Sequence, residues 1–360
     1  MTTDVQFNAC DDASSASEPR CKLTIIIKAL NEEQHIAEAI QSALCALAPF
    51  SGEVILADSA STDRTIEIAR QYPITIVQLA NPDERRCGIG PQLGYQFAQG
   101  QYVYILDGDM VLDATFMAAA VDALDRDPGL GGVAGLVTQQ ADASYQFRGL
   151  ARRRIEGRSG DVPWLDMGGL YRRSALQQVG YFSNRNLHAF EEMELGVRLS
   201  SAGWTLRRLG IPSVRHRGYD LNSLALLKHR WRSGYLLGAG EVLKASWRQP
   251  YFLRVLWTQK FLLLALLIWT GIFVGLLALP VSPWPIMGVT LATSALIALR
   301  AFRIRNLKDA LIGQLVWQVH ALALVWGIVI PMQDPCTPIA ADLLQASGAD
   351  CKPSGEAVTD

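Results

Sequence analysis

Asp107-Gly108-Asp109 sets two carboxylates on either side of a residue that adds no bulk. Hard oxygen ligands with no histidine or cysteine among them suit Mg2+ or Mn2+, cations that also bridge diphosphate oxygens. The tripeptide alone is equally ordinary turn chemistry. Its setting gives it weight, because it follows the apolar run 102–106 (YVYIL). In the same way Lys28 and Asn31–Glu33 follow residues 23–27 (LTIII), and Asp58, Ser59, Ser61 and Asp63 follow residues 53–57 (EVILA). Capping or turn formation explains any one group but explains all three together poorly. The chemistry implied is that of an enzyme handling a nucleotide diphosphate.

The elements that must position these residues are legible from periodicity. Short β-branched runs at 23–27, 53–57, 74–79 and 102–106 predict strands buried on both faces. Ile36, Ile40, Ala43, Leu44 and Leu47 recur at helical spacing, with Asn31 as the expected cap and Glu32 and Glu33 in the first turn. Further helices are expected at 65–71, capped by Asp63, at 93–98 and around 116–124. The fourfold alternation predicts an α/β fold, a doubly wound and mostly parallel sheet, which binds ligands beyond the carboxyl ends of its strands. Gly88-Ile89-Gly90-Pro91-Gln92-Leu93-Gly94 mimics a dinucleotide fingerprint, but it does not follow the first strand and its last spacing is wrong. It reads as a flexible loop leading into a helix. Arg85 and Arg86, just before it, either meet phosphate or are solvated.

The 360 residues carry 33 Lys+Arg against 34 Asp+Glu, a balance that argues against a bulk nucleic-acid binder. Half of the residues are hydrophobic and 19% charged, which excludes disorder of the whole chain. The apolar surplus lies at the C-terminal end. Residues 261–279 form an uncharged run long enough to cross a hydrocarbon core, and runs at 285–299 and about 310–330 follow, the last carrying Gln314, Gln318 and His320. Arg248, Arg254 and Lys260 precede the first run, and Arg300, Arg303, Arg305 and Lys308 separate the second from the third. By the positive-inside rule, residues 1–255 and the 300–309 loop are expected in the cytoplasm. Three spans would then put the acidic tail (Asp334, Asp342, Asp350, Glu356, Asp360) on the opposite side. There, Cys336 and Cys351 could pair; no cysteine has metal-ligand spacing. The expected organisation is a disordered acidic segment (1–21), a catalytic domain (22–232), a membrane-approach linker (233–255), a membrane domain of about three helices (256–331) and the tail (332–360). No N-terminal signal peptide is expected.

TIIIKALNEEQHI, LADSASTDRT, YILDGDM and HAFEEMELGVRL, in that order over residues 22–232, resemble the family 2 glycosyltransferases of GT-A fold. The resemblance implies an inverting transferase that uses a nucleotide-activated sugar, a UDP-sugar being the expected donor, and Mg2+ or Mn2+. It implies that Ala29, Asn31 and Glu32 line the nucleoside pocket, that Asp58 reads the base, that Asp107 approaches ribose or metal, and that Asp109 and His216 bind the metal and diphosphate. The family's acidic pair falls on Glu191-Glu192, with Glu in place of the usual Asp. Glu192 would be the base that deprotonates the acceptor hydroxyl, with Glu191 beside it and Glu194 one turn along. Arg230-Trp231 resembles the terminal motif of polymerising synthases, although Leu227 replaces its Gln. Residues 164–176 (WLDMGGLYRRSAL) match the acceptor-side loop, where Gly168 and Gly169 would admit a sugar and Trp164 and Asp166 touch it or merely shape a turn.

Two basic stretches remain, Arg148, Arg152, Arg153, Arg154 and Arg158, and Arg215, Arg217, Lys228, Arg230 and Arg232. Each either meets anionic headgroups or a phosphorylated lipid acceptor, or only solubilises its face. The expected activity is transfer of a sugar to a lipid-linked or growing glycan at the inner membrane, on its cytoplasmic face. A nucleotidyltransferase would carry a glycine-rich basic loop after its first strand, where KALNEEQHI is acidic. An inactive nucleotide-binding membrane scaffold would have no need of Asp58, Asp109 and Glu192 together.

Overall fold

The computed structural model describes residues 19–139, 159–166, 168–216 and 223–347. They fall into two compact units, the first holding the described residues up to 216 together with 332–347, the second holding 223–331. The arginines at 148–158, Arg217, Cys10, Cys351 and the acidic residues from 350 onward lie outside the described residues.

In the first unit, the four expected strands are β1 (Cys21–Ala29), β2 (Gly52–Asp58), β3 (Thr75–Leu79) and β4 (Gly100–Asp107). They lie parallel in the order β3-β2-β1-β4. Alternate side chains of β1 feed two cores. Leu23, Ile25 and Ile27 pack with Ile36 and Ile40 of α1 (Ile36–Leu47) and Phe116 of α4 (Ala114–Arg126), whereas Ile26 packs with Ile89 and Leu93 of α3 (Ile89–Phe97). All are fully buried, each stabilising the fold by about 1.5–3 kcal/mol.

Beyond β4 the sheet becomes mixed. β5 (Met110–Leu112), β6 (Leu130–Gln139), β7 (Gly160–Asp161), β8 (Leu170–Arg172) and β9 (Thr205–His216) extend it in the order β4-β8-β6-β9-β5, with β7 also on β9. Here β8 runs antiparallel to both β4 and β6 and leads into α5 (Arg173–Gln178), while β6 and β9 are parallel. The parallel expectation therefore holds for the half built from helical crossovers. The second half includes strands too short and too closely spaced in sequence to have shown a period.

Two local expectations change. Asn31 does not cap α1, which begins five residues later after His35 with no side-chain cap. Residues 88–94 are not a flexible loop: α3 starts at Ile89, and its glycines permit close packing on β1. A Cβ on Gly94 would lie 2.3 Å from Ile26 Cγ2, and one on Gly90 2.9 Å from Lys28 Cβ. The cap position of α2 (Thr65–Ala69) is Arg64, which makes no side-chain cap, while Asp63 one residue earlier accepts the Thr65 amide.

The tail also differs from expectation. Strand β10 (Ala341–Gln345) pairs antiparallel with β3, in the register Ala341 with Leu79 and Asp342 with Gln78. Gln96 and Ile339 exchange two hydrogen bonds, Asn186 and the Gln333 backbone exchange two more, and Arg185 donates to the Thr337 carbonyl at 2.8 Å. An edge strand otherwise left with open backbone groups is thereby covered. The tail is part of the first unit's sheet, not a separate segment opposite it. Cys336, within it, is disulfide-bonded, whereas Cys21, Cys45 and Cys87 are free.

The second unit is helical: α7 (Ser223–Arg232), α8 (Gly238–Ala245), α9 (Phe252–Thr258), α10 (Lys260–Ala278), α11 (Trp284–Ile304) and α12 (Leu307–Val329). The last three are long and apolar enough to cross a membrane.

Candidate active site

The carboxyl ends of β1, β2 and β4 carry the expected polar residues, and backbone bonds bring their loops together. Ser59 N–H donates to the Ala29 carbonyl and Gly108 N–H to that of Lys28. Side chains then zip the first loop to the second. Asn31 N–H donates to Ser61 Oγ at 2.8 Å, Thr62 N–H to Asn31 Oδ1 at 2.8 Å, and Glu32 N–H to Thr65 Oγ1 at 2.8 Å. Both loops hold a non-glycine residue in the left-handed region, Asn31 at φ 59° and Ala60 at φ 61°. Such conformations cost of order 1–3 kcal/mol each and persist where surrounding bonds over-determine them. Asp58 is completely buried and accepts from Ser61 N–H, Ser61 Oγ and Gln78 Nε2. Arg85 donates to the Ser59 and Ala60 carbonyls, so its guanidinium shapes this loop.

Lys28 is the hub, a residue that the sequence places at this edge but to which it assigns no role. It lies opposite Asp107 in the β1–β4 register, and its Nζ sits 3.1 Å from Asp107 Oδ1 and 3.5 Å from Glu191 Oε1. Burial works against its charge, yet the surrounding Asp107, Glu191 and Glu192 hold the ammonium's pKa well above its ordinary value. The signal available in sequence was a lysine ending an otherwise apolar strand.

Glu191 and Glu192 open α6 (Glu191–Ser201), whose preceding residue Phe190 is also left-handed at φ 70°. Burial, together with the neighbouring Glu191 charge, pushes the Glu192 carboxyl up to about 8, with Lys28 opposing. Glu194 is different in kind. It is buried in a bidentate pair with Arg198 at 2.8 and 2.9 Å and accepts from Tyr181 Oη, so it holds α6 in place. The tail contacts Arg185 and Asn186, in the segment leading into Glu191.

Asp109 contacts His216 at 3.0 Å, and the next residue, Met110, pairs with His216 in the β5–β9 ladder. Burial would raise the Asp109 carboxyl, but His216 and Lys28 outweigh it and the shift is downward. Glu32 lies close to both aspartates: burial first, then the charges of Asp109, Asp107 and Asp63, push it up to about 8. Gly108 lets Glu32 approach closely: a Cβ there would lie 3.0 Å from Glu32 Cγ and 3.3 Å from Ala29 Cβ. Among the described residues, no three His, Cys, Asp or Glu side chains converge on one point. Of the three expected metal residues, Asp109 and His216 meet each other and Asp107 pairs with Lys28, so the oxygen ligands are carboxylates and one imidazole joins them, amid acidic charge that a cation would relieve. That fits Mg2+ or Mn2+, which keep water and substrate phosphates as their other ligands.

Trp164 Nε1 donates to Asp166 Oδ1 at 2.9 Å, and Arg208 pairs with Asp166 Oδ2 at 3.0 Å. Gly168, at φ +95°, brings its backbone against Tyr104, where a Cβ would lie 2.7 Å from the hydroxyl. Arg230 and Trp231 belong to the second unit, in α7; Arg230 stacks on Tyr235 and Trp231 packs edge-on to Trp326.

A sheet with one parallel half and one mixed half, acidic residues along its carboxyl edge and a glutamate pair at the mouth of a helix, defines the GT-A class of nucleotide-sugar fold. The sequence matches the family model "Glycosyl transferase family 2" over residues 24–179 and "Glycosyl transferase family group 2" over residues 102–330. The chain belongs to the family 2 glycosyltransferases. It is 30% identical over 195 residues to the succinoglycan biosynthesis protein ExoA of Rhizobium meliloti, covering 51% of this chain and 59% of that one. It is 28% identical over 113 residues to a dodecaprenyl-phosphate galacturonate synthase of Rhizobium johnstonii, covering 29% and 33%. The chain spans 32% of the length of an uncharacterised Mycobacterium tuberculosis relative. Among solved structures, a Pyrobaculum calidifontis mannosyltransferase in complex with GDP-Man and Mn2+ superposes with TM-score 0.55 over 91% of each chain, at 18% identity.

Proposed function

We propose that this protein is an inverting glycosyltransferase that moves a sugar from a nucleoside diphosphate sugar to a lipid-linked or growing glycan acceptor at a membrane. The observation that carries the reading is the pair Glu191-Glu192 gathered with Lys28 and Asp107 at the carboxyl edge of the sheet. Glu192 takes the proton of the acceptor hydroxyl. The acceptor oxygen attacks the anomeric carbon as the bond from that carbon to the diphosphate oxygen breaks, which inverts the configuration and releases the nucleoside diphosphate. The proton on Glu192 then passes to water.

Asp109 and His216 would hold a divalent cation, whose contribution when bound is to neutralise charge on the departing diphosphate. Lys28 pairs with Asp107 and Glu191 beside the base. Asn31, Glu32 and the Asp58-braced loop shape the nucleoside side of the cleft. The related ExoA and dodecaprenyl-phosphate galacturonate synthase support a polysaccharide or polyprenyl-phosphate acceptor, and the basic residues flanking the apolar helices support a cytoplasmic catalytic face.

The test is a panel of nucleotide sugars offered to membranes containing the protein, scored for nucleoside diphosphate release with and without chelator. One donor should give chelator-sensitive release, and Glu192→Gln should lower turnover by about 10²–10⁴-fold while leaving donor binding intact. Normal turnover by Glu192→Gln would remove the base assignment.

A further inference from the structure

We propose that only the α10–α11 hairpin crosses the bilayer and that α12 stays on the catalytic side, so the chain crosses twice and not three times. This rests on the membrane reading above. Connectivity supplies the first argument. The chain leaves the catalytic unit before α7 and re-enters it after Val329, where β10 joins the edge of β3. Two ends on one face require an even number of crossings, and three long apolar helices lie between them.

Packing within the second unit decides which helix stays behind. Trp317, at the midpoint of α12, stacks on Phe261 with ring centroids 5.6 Å apart and lies 4.5 Å from the Arg300 guanidinium. Phe261 is the second residue of α10, and Arg300 lies in the closing turns of α11. A Cβ on Gly313 would likewise meet the Arg300 guanidinium at 2.3 Å. The middle of α12 therefore meets the hairpin at its base. A third span running alongside would set its middle against the middles of the other two.

The second half of α12 lies against α8. A Cβ on Gly240 would lie 2.0 Å from the Leu324 carbonyl oxygen, one on Gly327 would lie 2.2 Å from that of Leu237, and Lys244 Nζ donates to the Ile330 carbonyl at 2.5 Å. An eight-residue helix, about 12 Å long and carrying Glu241 and Lys244, cannot itself span a bilayer. Gln314, Gln318 and His320 also lie in α12, while α10 has no charged residue after Lys260.

The hairpin itself fits lipid. Toward its tip, α10 and α11 pair closely: a Cβ on Gly271 would meet Val289 at 2.9 Å, and one on Gly275 the Ile286 backbone at 3.0 Å. Its outer faces are apolar and exposed, with Phe273, Leu277 and Leu291 among them. At 19 and 21 residues, the two helices are about 28–32 Å long, matching a hydrocarbon core of ~30 Å. Lys260, Arg300, Arg303, Arg305 and Lys308 all gather at the base, and the connecting residues 279–283 carry no charge. Two crossings thus put every basic flank on one face, as the positive-inside rule asks.

The test labels sealed membrane vesicles of known orientation with a membrane-impermeant maleimide and maps modified cysteines by mass spectrometry. Native Cys45, exposed in the catalytic unit, reports that unit's side; Val281→Cys reports the hairpin tip, and Ala346→Cys the tail. Positions 45 and 346 should label from one face and 281 from the other. Labelling of 346 together with 281 would establish three crossings and overturn the proposal, as would labelling of all three from one face. An antibody against a tag placed after Asp360 reads the tail's side without any substitution. Release of the protein by alkaline carbonate would instead remove the membrane reading itself, and with it any crossing.

Discussion

The chemistry of this site turns on how one lysine divides a group of carboxylates. Lys28 touches Asp107 and Glu191, and its charge lowers the pKa of Glu192 against the raising effects of burial and Glu191. In its proposed role of general base Glu192 acts ionised, so with its carboxyl at about 8 the rate should climb with pH and level off above that value. The stability effect has the opposite sense. A carboxyl raised from 4.5 on folding stabilises the fold below its unfolded pKa, and the contribution is lost as pH rises through about 8. The kcat/KM profile over pH 6 to 9, set beside the pH dependence of Tm, checks both. Lys28→Met removes the opposing charge, so the acidic limb of kcat/KM should move to higher pH by about one unit. A limb that stays put would separate Lys28 from the base.

At the level of elements, the site depends on close approaches that leave no space for a side chain. α3 lies on β1 through Gly90 and Gly94, and β1 delivers Lys28. Gly94→Ala places a methyl 2.3 Å from Ile26 Cγ2, a fully buried atom on the central strand. Expected is a loss of about 1–3 kcal/mol, read as a lower Tm, with a fall in kcat as β1 shifts. A second control on geometry comes from the tail. Asn186 exchanges hydrogen bonds with Gln333, five residues before Glu191. Asn186→Ala leaves the Gln333 backbone groups unpaired at a cost of about 1–3 kcal/mol. It should reduce kcat more than donor affinity, measured by steady-state kinetics beside direct nucleotide binding.

Across the whole molecule, what could be read from sequence was what repeats or runs. Residues 23–27, 53–57, 74–79 and 102–106 announced the parallel half of the sheet because each is a continuous β-branched stretch. Hydrophobic length announced α10, α11 and α12. β8, with three residues, and β10, reading ADLLQ beyond the last apolar helix, have no period to detect; only packing identifies them. Lys28 was hidden for a similar reason, since its role comes from register with Asp107 and from α6, 163 residues away in sequence. The same long-range gathering concentrates negative charge. Asp107, Asp109, Glu191 and Glu192 surround one half-buried lysine and Glu32 lies close to both aspartates, so a nucleoside diphosphate would add its own charge to that excess. The diphosphate and a divalent cation should therefore bind as a pair. Nucleoside diphosphate alone should leave Tm nearly unchanged. With Mn2+ at a hundred times the apparent Kd, linkage gives about 2.7 kcal/mol, a rise of several degrees. Asp109→Ala should abolish the Mn2+-dependent part, leaving the Tm of the unliganded protein close to wild type. A full rise with nucleotide alone, in chelator, would mean that Lys28 and the loop amides suffice to hold the diphosphate.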